Sequence, residues 1–342
     1  MDNTDIQQRK DDCLAMLHSS NILNTKSGIP FDIRPQTGGL FNHLLRIDTN
    51  KGVYFFKQYL DDVPNDIYDL PDIPARERAL LAYQVQILAQ EATSETWNNA
   101  VPKIVHFDKA RNAFLMDSSI GTDPLINRLS RGEIPDIVSI NLPKILASIH
   151  KSSFMKFNEK SIYANRTFRN FKLKLQYDNV ADMLPDKLSR IVIETREKYQ
   201  SEKSCVVHGD INSRNILIGS DSISIIDFEQ SHLGSPVYDI AYILSEIIIC
   251  LYCGGRAYGI SAYINEFVDR YYEVFNYESR SNLDTELKNH IAIQILYRFW
   301  GPSRSSWTFY VDDHTKTNII IDSMNLLSQS SSIYEATESW AS

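Results

Sequence analysis

The chain has 342 residues, enough for one two-lobed protein or two ordinary domains, and its hydrophobic fraction of 43% can fill a sizeable core. A formal net charge of −8 argues against non-specific binding to nucleic acid and is compatible with a neutral or cationic ligand. Four scattered cysteines, a charged N-terminus without an apolar leader, and no apolar segment of membrane-spanning length predict a cytoplasmic protein with neither nucleic acid nor membrane as a partner.

The first 117 residues have the pattern of a small sheet with helices. Residues 5–18 show helical spacing, and the segment that follows, with Pro35, is predicted to be a loop. A helix is predicted at 75–90. Strand-like runs lie on either side of it, at 43–47, 53–59, 101–107 and 112–117. We therefore expect a small antiparallel sheet packed against one helix.

Two features of this region could contact a ligand. Gly38 and Gly39 precede the first hairpin, where a glycine pair lets backbone N–H groups approach phosphates, although such a pair is more often only a turn. Lys57 lies within an apolar strand, and burying its ammonium is unfavourable without a charged partner. Nucleotide phosphates could be that partner, and the alternative is an edge-strand lysine in solvent.

From residue 123 onward the pattern is mainly helical. Helices are predicted at 137–152, 240–253, 260–276, 283–300 and 316–329. The charged stretch 166–199 is predicted to form one or two helices that contribute no catalytic or binding residue. Asp239 stands at the start of an apolar helix, where it could cap that helix or support a neighbouring loop.

The C-terminal helices carry a set of acids and aromatic side chains. The acids are Glu266, Asp269, Glu273, Glu278, Asp284, Asp312 and Asp313, and the aromatics are Trp300, Trp307 and Tyr310. Such a set could line a pocket for a cationic substrate. Charged residues on helices more often form a solvated face, and we favour that interpretation.

The stretch 205–229 carries the strongest signal. A short apolar run leads into His208 and Asp210, Asn215 follows, and a second apolar run ends at Asp227. A carboxylate, an amide and a second carboxylate on loops beside buried strands are the groups that phosphoryl transfer requires. One aspartate orients the attacking hydroxyl, while the amide and the other aspartate hold Mg²⁺ ions against nucleotide phosphates.

This pattern, H-x-D-x-x-x-x-N followed by D-F-x, resembles the aminoglycoside phosphotransferase/choline kinase superfamily over about residues 30–330. The resemblance implies a protein-kinase-like α+β fold, with a small antiparallel-sheet lobe at 1–117 and a mainly helical lobe at 118–342. Local strings around Lys57 are similar to the methylthioribose kinase branch, which has a proline where this chain has Phe228.

The resemblance also implies a role for each site residue. Asp210 would be the catalytic base, and Asn215 and Asp227 the Mg²⁺ ligands. The ATP-binding residues would be Gly38, Gly39, Asn42, Lys57, Glu77, Met116 and Ser118, with His208 and Asp239 supporting the catalytic loop. The backbone N–H and C=O groups of Met116 to Ser118 would form hydrogen bonds with the edge of the adenine ring. The alternative is that these residues form only a strand end and a turn.

In kinases a helix glutamate pairs with the strand lysine. Glu77 is the candidate here, although helical spacing favours Gln84, and Glu77 could instead belong to an exposed charged cluster.

The sequence departs from the protein-kinase pattern in two ways that favour a small-molecule acceptor over a protein. Glu229 replaces the glycine of D-F-G, and only eleven residues separate Asp227 from Asp239, which leaves no room for a peptide platform. We therefore expect an ATP- and Mg²⁺-dependent O-phosphotransferase acting on a small hydroxylated molecule, such as an aminoglycoside, an amino alcohol or a sugar. The alternative is a catalytically silent nucleotide-binding protein on the same fold. The oligomeric state stays open.

Overall fold

The computed structural model describes residues 3–20, 32–36, 42–50, 52–61, 71–97, 99–118, 122–277, 280–338 and 340. Two of the residues predicted to contact ATP, Gly38 and Gly39, lie outside the described residues.

The N-terminal lobe is a five-stranded antiparallel sheet with two helices. Its elements are α1 (Asn3–Ser19), β1 (Asp32–Gln36), β2 (Asn42–Thr49), β3 (Gly52–Tyr59), α2 (Ala75–Thr93), β4 (Ile104–Asp108) and β5 (Ala113–Asp117), with strand order β1-β2-β3-β5-β4. The four predicted strands are present, and β1 is an additional edge strand. Its Pro35 suggested a loop, but an edge strand tolerates proline because one side of its backbone needs no ladder hydrogen bond.

The two faces of this sheet pack against different helices. Phe56 faces α1, where it joins Cys13 and Met16 in a buried cluster. On the opposite face of the sheet, Tyr59 packs with Ala79 of α2. Because side chains alternate along a strand, Lys57 lies on the α2 side of β3, in the middle of the sheet and facing the C-terminal lobe.

The C-terminal lobe is mainly helical. Its elements are β6 (Asp123–Pro124), α3 (Leu125–Leu129), α4 (Asp136–Ser153), α5 (Arg166–Leu173), a π-helical turn (Lys174–Asp178), α6 (Asn179–Asp182), α7 (Asp186–Ser201), β7 (Cys205–Val207), β8 (Ile216–Ile218), β9 (Ile223–Ile225), β10 (His232–Gly234), α8 (Val237–Cys253), α9 (Ile260–Tyr272), α10 (Arg280–Trp300), α11 (Arg304–Trp307), α12 (Asp313–Ser328) and α13 (Ile333–Glu338). The predicted α+β architecture, a sheet lobe followed by a helical lobe, is thus confirmed. The boundary after residue 117 stays a prediction.

Short strands in this lobe position the loops predicted to carry the chemistry. β7 pairs with β10, and β8 pairs with β6 and β9. These strands are too short to be stable alone and depend on the large apolar core formed with α4, α8 and α10. The two loops that follow β7 and β9 therefore rest on a rigid base. In the described part of the chain, no helix is long and apolar enough to cross a membrane.

Candidate active site

The loop after β7 is held in place by one buried carboxylate of α8. Asp239 accepts hydrogen bonds from the backbone N–H groups of His208 (2.6 Å) and Gly209 (3.0 Å). It also accepts one from His150 Nε2 of α4, at 3.0 Å. Burial would raise the pKa of Asp239, but the hydrogen bond and charge of His150 bring that pKa below its usual value. Asp239 therefore lies where it can support the loop, and the sequence had given no sign of His150 as its partner.

His208 connects this loop to the loop after β9. Its Nε2–H donates to the carbonyl of Ile226, at 3.0 Å. Its Nδ1 accepts the backbone N–H of Asp210, at 3.2 Å. These two bonds define one neutral tautomer, so the ring joins the two loops.

Gly209 adopts a conformation that few other residues could take. Its φ is +77°, and a Cβ at this position would lie 2.3 Å from the carbonyl oxygen of Gln230. The positive φ and the close approach of these two backbone segments both favour glycine at this position.

Replacing Gly209 by alanine is expected to lower the free energy of unfolding by at least about 3 kcal/mol, because conformational strain and overlap with a backbone oxygen add together. Gly132→Ala is the matched control, since Gly132 has a φ of +75° and open space where a Cβ would stand. That control should lose only about 1–2 kcal/mol. Thermal unfolding of both variants measures the difference, and equal losses would mean that the contact with Gln230 is unimportant.

Asp210 follows on this loop and is surrounded by donors. Its Oδ1 accepts hydrogen bonds from Lys172 Nζ (2.6 Å) and Tyr242 Oη (3.0 Å). Its Oδ2 accepts from Asn215 Nδ2 (3.2 Å) and, more weakly, from Gln230 Nε2 (3.4 Å). Burial would raise the pKa of Asp210, but the charge and hydrogen bond of Lys172 bring that pKa below its usual value. Asp210 is therefore a carboxylate at neutral pH.

Lys172 was missed by sequence reasoning. It lies in the last turn of α5, inside the stretch 166–199 in which we expected no chemistry. Its side chain is buried, and its ammonium lies 5.5 Å from the centre of the Tyr242 ring. A run of charged residues on a helix gives no sign that one of them points into the protein. The position of Lys172 becomes clear only in the folded chain, where α5 packs beside the loop that carries Asp210.

The two residues predicted to bind Mg²⁺ present oxygen atoms. Asn215 donates through Nδ2 to the carbonyl of Asp210 (2.9 Å) and to its carboxylate, which leaves its Oδ1 as an acceptor. Asp227 has a left-handed backbone, with φ 73° and ψ 66°. This conformation is strained for a non-glycine residue, and such strain is often found at functional sites.

These donors fit Mg²⁺ when it is shared with a nucleotide. Within the described residues, no group of three or more His, Cys, Asp or Glu side chains could hold a metal ion alone. Mg²⁺ in nucleotide sites is commonly held by one or two carboxylates together with phosphate oxygens and water. The hard oxygen ligands of Asn215 and Asp227 match that chemistry.

Lys57 reaches the second loop and not the helix glutamate. Its Nζ lies 2.6 Å from Asp227 Oδ1 and 3.8 Å from Glu229 Oε2. Among the described residues, the expected pair between Lys57 and Glu77 is not formed. Glu77 is exposed, because its neighbours Ala75 and Ala79 occupy the buried face of α2.

The other candidate for that pair, Gln84, does not contact Lys57 either. It lies in a groove on the far side of α2, beside Ile87 and Tyr163. Helical spacing located the buried face of α2 too roughly to say which residue, if any, would meet Lys57.

Glu229 takes the place that we had expected for Glu77. It is 1% exposed, and its Oε2 accepts a hydrogen bond from Asn42 Nδ2 at 3.0 Å. This hydrogen bond joins Asn42 of β2 to the loop after β9, and the predicted contact of Asn42 with ATP stays a prediction. Burial and the nearby charge of Asp227 raise the pKa of Glu229 to about 7, despite the opposing charge of Lys57. From the sequence, Glu229 was noted only as the residue that replaces the glycine of the D-F-G motif, and no contact with Lys57 was predicted for it.

Glu229→Gln should make the stability of the protein less sensitive to pH. Because the folded-state pKa is raised above the ordinary value of 4.5, ionising Glu229 destabilises the fold as pH rises from about 4.5 to 7. Glutamine does not ionise and keeps an oxygen for Asn42. The variant should therefore gain about 1–3 kcal/mol relative to the parent between pH 5 and pH 8. Thermal unfolding without nucleotide measures this, and a constant difference across that range would show that the carboxyl group does not titrate there.

At the strand end predicted to bind adenine, two backbone N–H groups already donate hydrogen bonds within the N-terminal lobe. The backbone N–H of Asp117 donates to Lys103 O (2.8 Å), and that of Ser118 donates to Val53 O (2.9 Å). The side chain of Met116 packs with Tyr83 and other residues against α2. These two N–H groups are therefore not free for adenine, and residues 119–121, which come next, lie outside the described residues.

Acids of the C-terminal helices lie on the surface in ion pairs. The pairs include Glu266 with Arg270, Glu273 with Lys144, and Asp284 with Arg280. Asp312 caps the N-terminus of α12 by accepting the N–H of Thr315. These contacts agree with the solvated-face interpretation. Glu278 lies outside the described residues.

Comparisons with known proteins show which family and which folds this chain resembles. The model of the family described as "phosphotransferase enzyme family" matches residues 38–250, more than half of the chain. A methylthioribose kinase from Enterobacter sp. (strain 638) is 28% identical over 85 residues, which are 25% of this chain and 21% of that protein. The matched segment thus spans about a fifth of that relative.

Two solved structures share the fold over almost the whole chain. One is a choline/ethanolamine kinase family protein from Mesorhizobium loti, with a TM-score of 0.53 and 15% identity, covering 97% of this chain and 98% of that chain. The other is a choline kinase from Cryptosporidium parvum Iowa II, with a TM-score of 0.53 and 15% identity, covering 93% of this chain and 98% of that chain.

Proposed function

This chain belongs to the phosphotransferase enzyme family, as the motifs of its sequence predicted, and from that premise we propose that it transfers the γ-phosphoryl group of ATP to a hydroxyl group of a small molecule. The observation that carries this proposal is the position of Asp210. A carboxylate kept ionised by a buried lysine stands beside Asn215 and near the loop of Asp227, on a base of short buried strands.

In the proposed reaction the acceptor hydroxyl approaches Asp210. The hydroxyl oxygen forms a bond to the γ-phosphorus, the bond from that phosphorus to the β–γ bridging oxygen breaks, and ADP leaves. Asp210 orients the hydroxyl and accepts its proton. The bond from Gln230 Nε2, at 3.4 Å, is the longest to this carboxylate and is the one that an acceptor hydroxyl would most easily replace.

The chain offers ligands on the nucleotide side as well. Asn215 Oδ1 and the Asp227 carboxylate would hold Mg²⁺, which supplies positive charge against the phosphate oxygens. Lys57, whose Nζ lies 2.6 Å from Asp227 Oδ1, would contact the nucleotide phosphates. Glu229 of the helical lobe lies near Lys57 and accepts a hydrogen bond from Asn42 of the sheet lobe, so the two lobes meet beside this lysine.

The segment between Asp227 and Asp239 supports a small acceptor. It is occupied by a short turn at Phe228–Gln230 and by β10, which pairs with β7, and α8 then begins at Val237. The segment therefore forms part of the base of the site. No part of it extends outward as a surface on which a peptide could lie.

A panel of hydroxyl acceptors assayed by ADP release tests the proposal. The panel should contain aminoglycosides, choline, ethanolamine, homoserine and thio-sugars, with Mg·ATP as donor. We expect turnover of at least one class and a rise in Tm with Mg·ATP. A rise in Tm without transfer to any acceptor would instead favour a silent nucleotide-binding protein. The unpaired position of Glu77 is the observation that favours this alternative.

A further inference from the structure

One side of α8 contacts the loop after β7 at three successive points. Asp239 accepts backbone hydrogen bonds at the beginning of this loop, and the Tyr242 hydroxyl donates to Asp210 near its middle. Glu246 contacts the end of the loop, where its Oε2 accepts hydrogen bonds from the backbone N–H (3.1 Å) and the hydroxyl of Ser213. The three helix residues are spaced i, i+3 and i+7, which places them on the same side of a helix.

Ser213 lies two residues before Asn215, a proposed Mg²⁺ ligand. Its carbonyl accepts the backbone N–H of Ile126 at 3.1 Å, so the backbone of Ser213 is held from both sides. A tight turn joins it to Asn215. In this turn Asn212 Oδ1 accepts the backbone N–H groups of Arg214 (3.0 Å) and Asn215 (3.2 Å). A shift of Ser213 would therefore also move Asn215.

Glu246 is an acid in an otherwise apolar environment. It is 3% exposed, and every residue of α8 from Val237 to Leu251 is buried. Its charged partner is Arg298 of α10, which is 1% exposed and donates through Nη2 to Glu246 Oε1 at 2.6 Å. Apolar residues of similar volume are often at least as stabilising as a buried ion pair. Stability alone therefore does not explain the acid, whereas the two donors of Ser213 require an acceptor there.

We propose that Glu246 is a positioning residue for the proposed reaction. It holds Ser213 so that Asn215 presents its side-chain oxygen to Mg²⁺. Arg298 in turn holds Glu246, because its bond to Oε1 leaves Oε2 directed at Ser213. This inference rests on the proposed kinase function and adds to it a residue outside the stretch 205–229. Without an acceptor at position 246 the loop should bind Mg²⁺ less well, while nucleotide contacts made through Lys57 should not change.

Two double variants separate the acceptor for Ser213 from the ion pair. Glu246→Gln/Arg298→Met and Glu246→Leu/Arg298→Met both remove the buried pair and leave no unpaired charge. Any effect of losing the arginine is common to both, and only glutamine keeps an oxygen for Ser213.

The affinity for ADP, measured by isothermal titration calorimetry without Mg²⁺ and over a series of Mg²⁺ concentrations, compares the two double variants. We expect the leucine variant to need about tenfold more Mg²⁺ than the glutamine variant for the half-maximal gain in ADP affinity. The glutamine variant should lie close to the parent. Without Mg²⁺, the two variants should bind ADP equally.

Ser153→Ala is the matched control for a general loosening of this region. Ser153 is fully buried, and its hydroxyl accepts the backbone N–H of Val206 in β7 at 2.9 Å. Its loss removes the acceptor of a buried backbone N–H, as Glu246→Leu does, but outside the segment between Asp210 and Asn215. This control should lower Tm and keep the Mg²⁺ requirement of the parent. A raised Mg²⁺ requirement in Ser153→Ala would mean that any loosening has this effect, and would overturn the inference.

Ser213→Ala gives a second measurement that does not depend on the folding of the leucine variant. It removes the hydroxyl that donates to Glu246 and keeps the backbone N–H that donates to the same oxygen. It should raise the Mg²⁺ requirement about threefold, because one of two hydrogen bonds is lost. An Mg²⁺ requirement equal to that of the parent would overturn the inference.

The results separate this inference from the proposed function. Equal Mg²⁺ requirements in the two double variants would overturn the inference, while the kinase proposal would stand on the binding of Mg·ADP by the parent. A parent protein that neither binds Mg·ADP nor turns over any acceptor would remove the kinase proposal and this inference with it.

Discussion

Replacing Asp210 by asparagine is expected to lower kcat about a thousandfold and to leave KM for ATP within a few-fold of the parent. The carboxylate is the proposed acceptor of the hydroxyl proton, and a positioned general base contributes about 10²–10⁴ in rate. In the proposed site, nucleotide binding would depend on Lys57, Asn215 and Asp227, which this substitution leaves unchanged. ADP release with the best acceptor of the panel measures kcat, and the rise in Tm with Mg·ATP measures binding.

The loss of charge at Asp210 also affects stability, because it leaves Lys172 buried without its partner. Breaking a buried ion pair in this way destabilises a protein by about 3–5 kcal/mol. The double variant Asp210→Asn/Lys172→Met removes both charges and should regain stability without regaining activity. Asp221→Asn, on an exposed turn, is the matched control and should behave as the parent. Activity of Asp210→Asn within a few-fold of the parent would show that Asp210 is not the base.

Replacing Lys172 by methionine should change the pH dependence of the reaction. Lys172 lowers the pKa of Asp210, and burial alone would raise it. In the variant the effect of burial is no longer opposed by the charge and hydrogen bond of Lys172, so the pKa of the Asp210 carboxyl group should rise. We therefore expect kcat to fall about 10- to 100-fold at the acid end of the pH profile and to recover as the pH rises, so that the acid limb moves to higher pH.

A purely structural role of Lys172 would not move that acid limb. Lys172→Arg keeps a cation beside Asp210 and should recover part of the activity and most of the parent pH profile. Lys174→Met, two residues further along at an exposed position, is the control for a general change in charge. A uniform loss of activity at every pH in Lys172→Met would show that the lysine packs beside Asp210 without influencing its ionisation.

Much of the candidate site could be predicted because it is local in sequence. His208, Asp210, Asn215 and Asp227 lie within one stretch, on loops beside strands that read as short apolar runs. Their spacing fixes which group follows which strand, so residue type and order were enough to predict phosphoryl transfer. The sheet lobe was predictable for the same reason, since alternating strands and their turns are short-range patterns.

The partners of these groups were not predictable. The contact between Lys57 and Asp227 joins residues 170 positions apart, and that between Lys172 and Asp210 joins residues 38 positions apart. Such contacts depend on which face of a helix is buried and on how two lobes meet. Lys57 and Lys172 illustrate this point, because helical spacing favoured Gln84 as the partner of Lys57 and gave no sign that Lys172 would meet Asp210.

The sequence by itself therefore determined the fold class and the family of this protein and the residues proposed for its site, because these depend on patterns of a few neighbouring residues. Only the tertiary structure decided that Glu229 stands beside Lys57 and that Lys172 lies beside Asp210. These arrangements raise the pKa of Glu229 and lower the pKa of Asp210. They arise from packing between distant segments, where burial and charge act through space rather than along the chain.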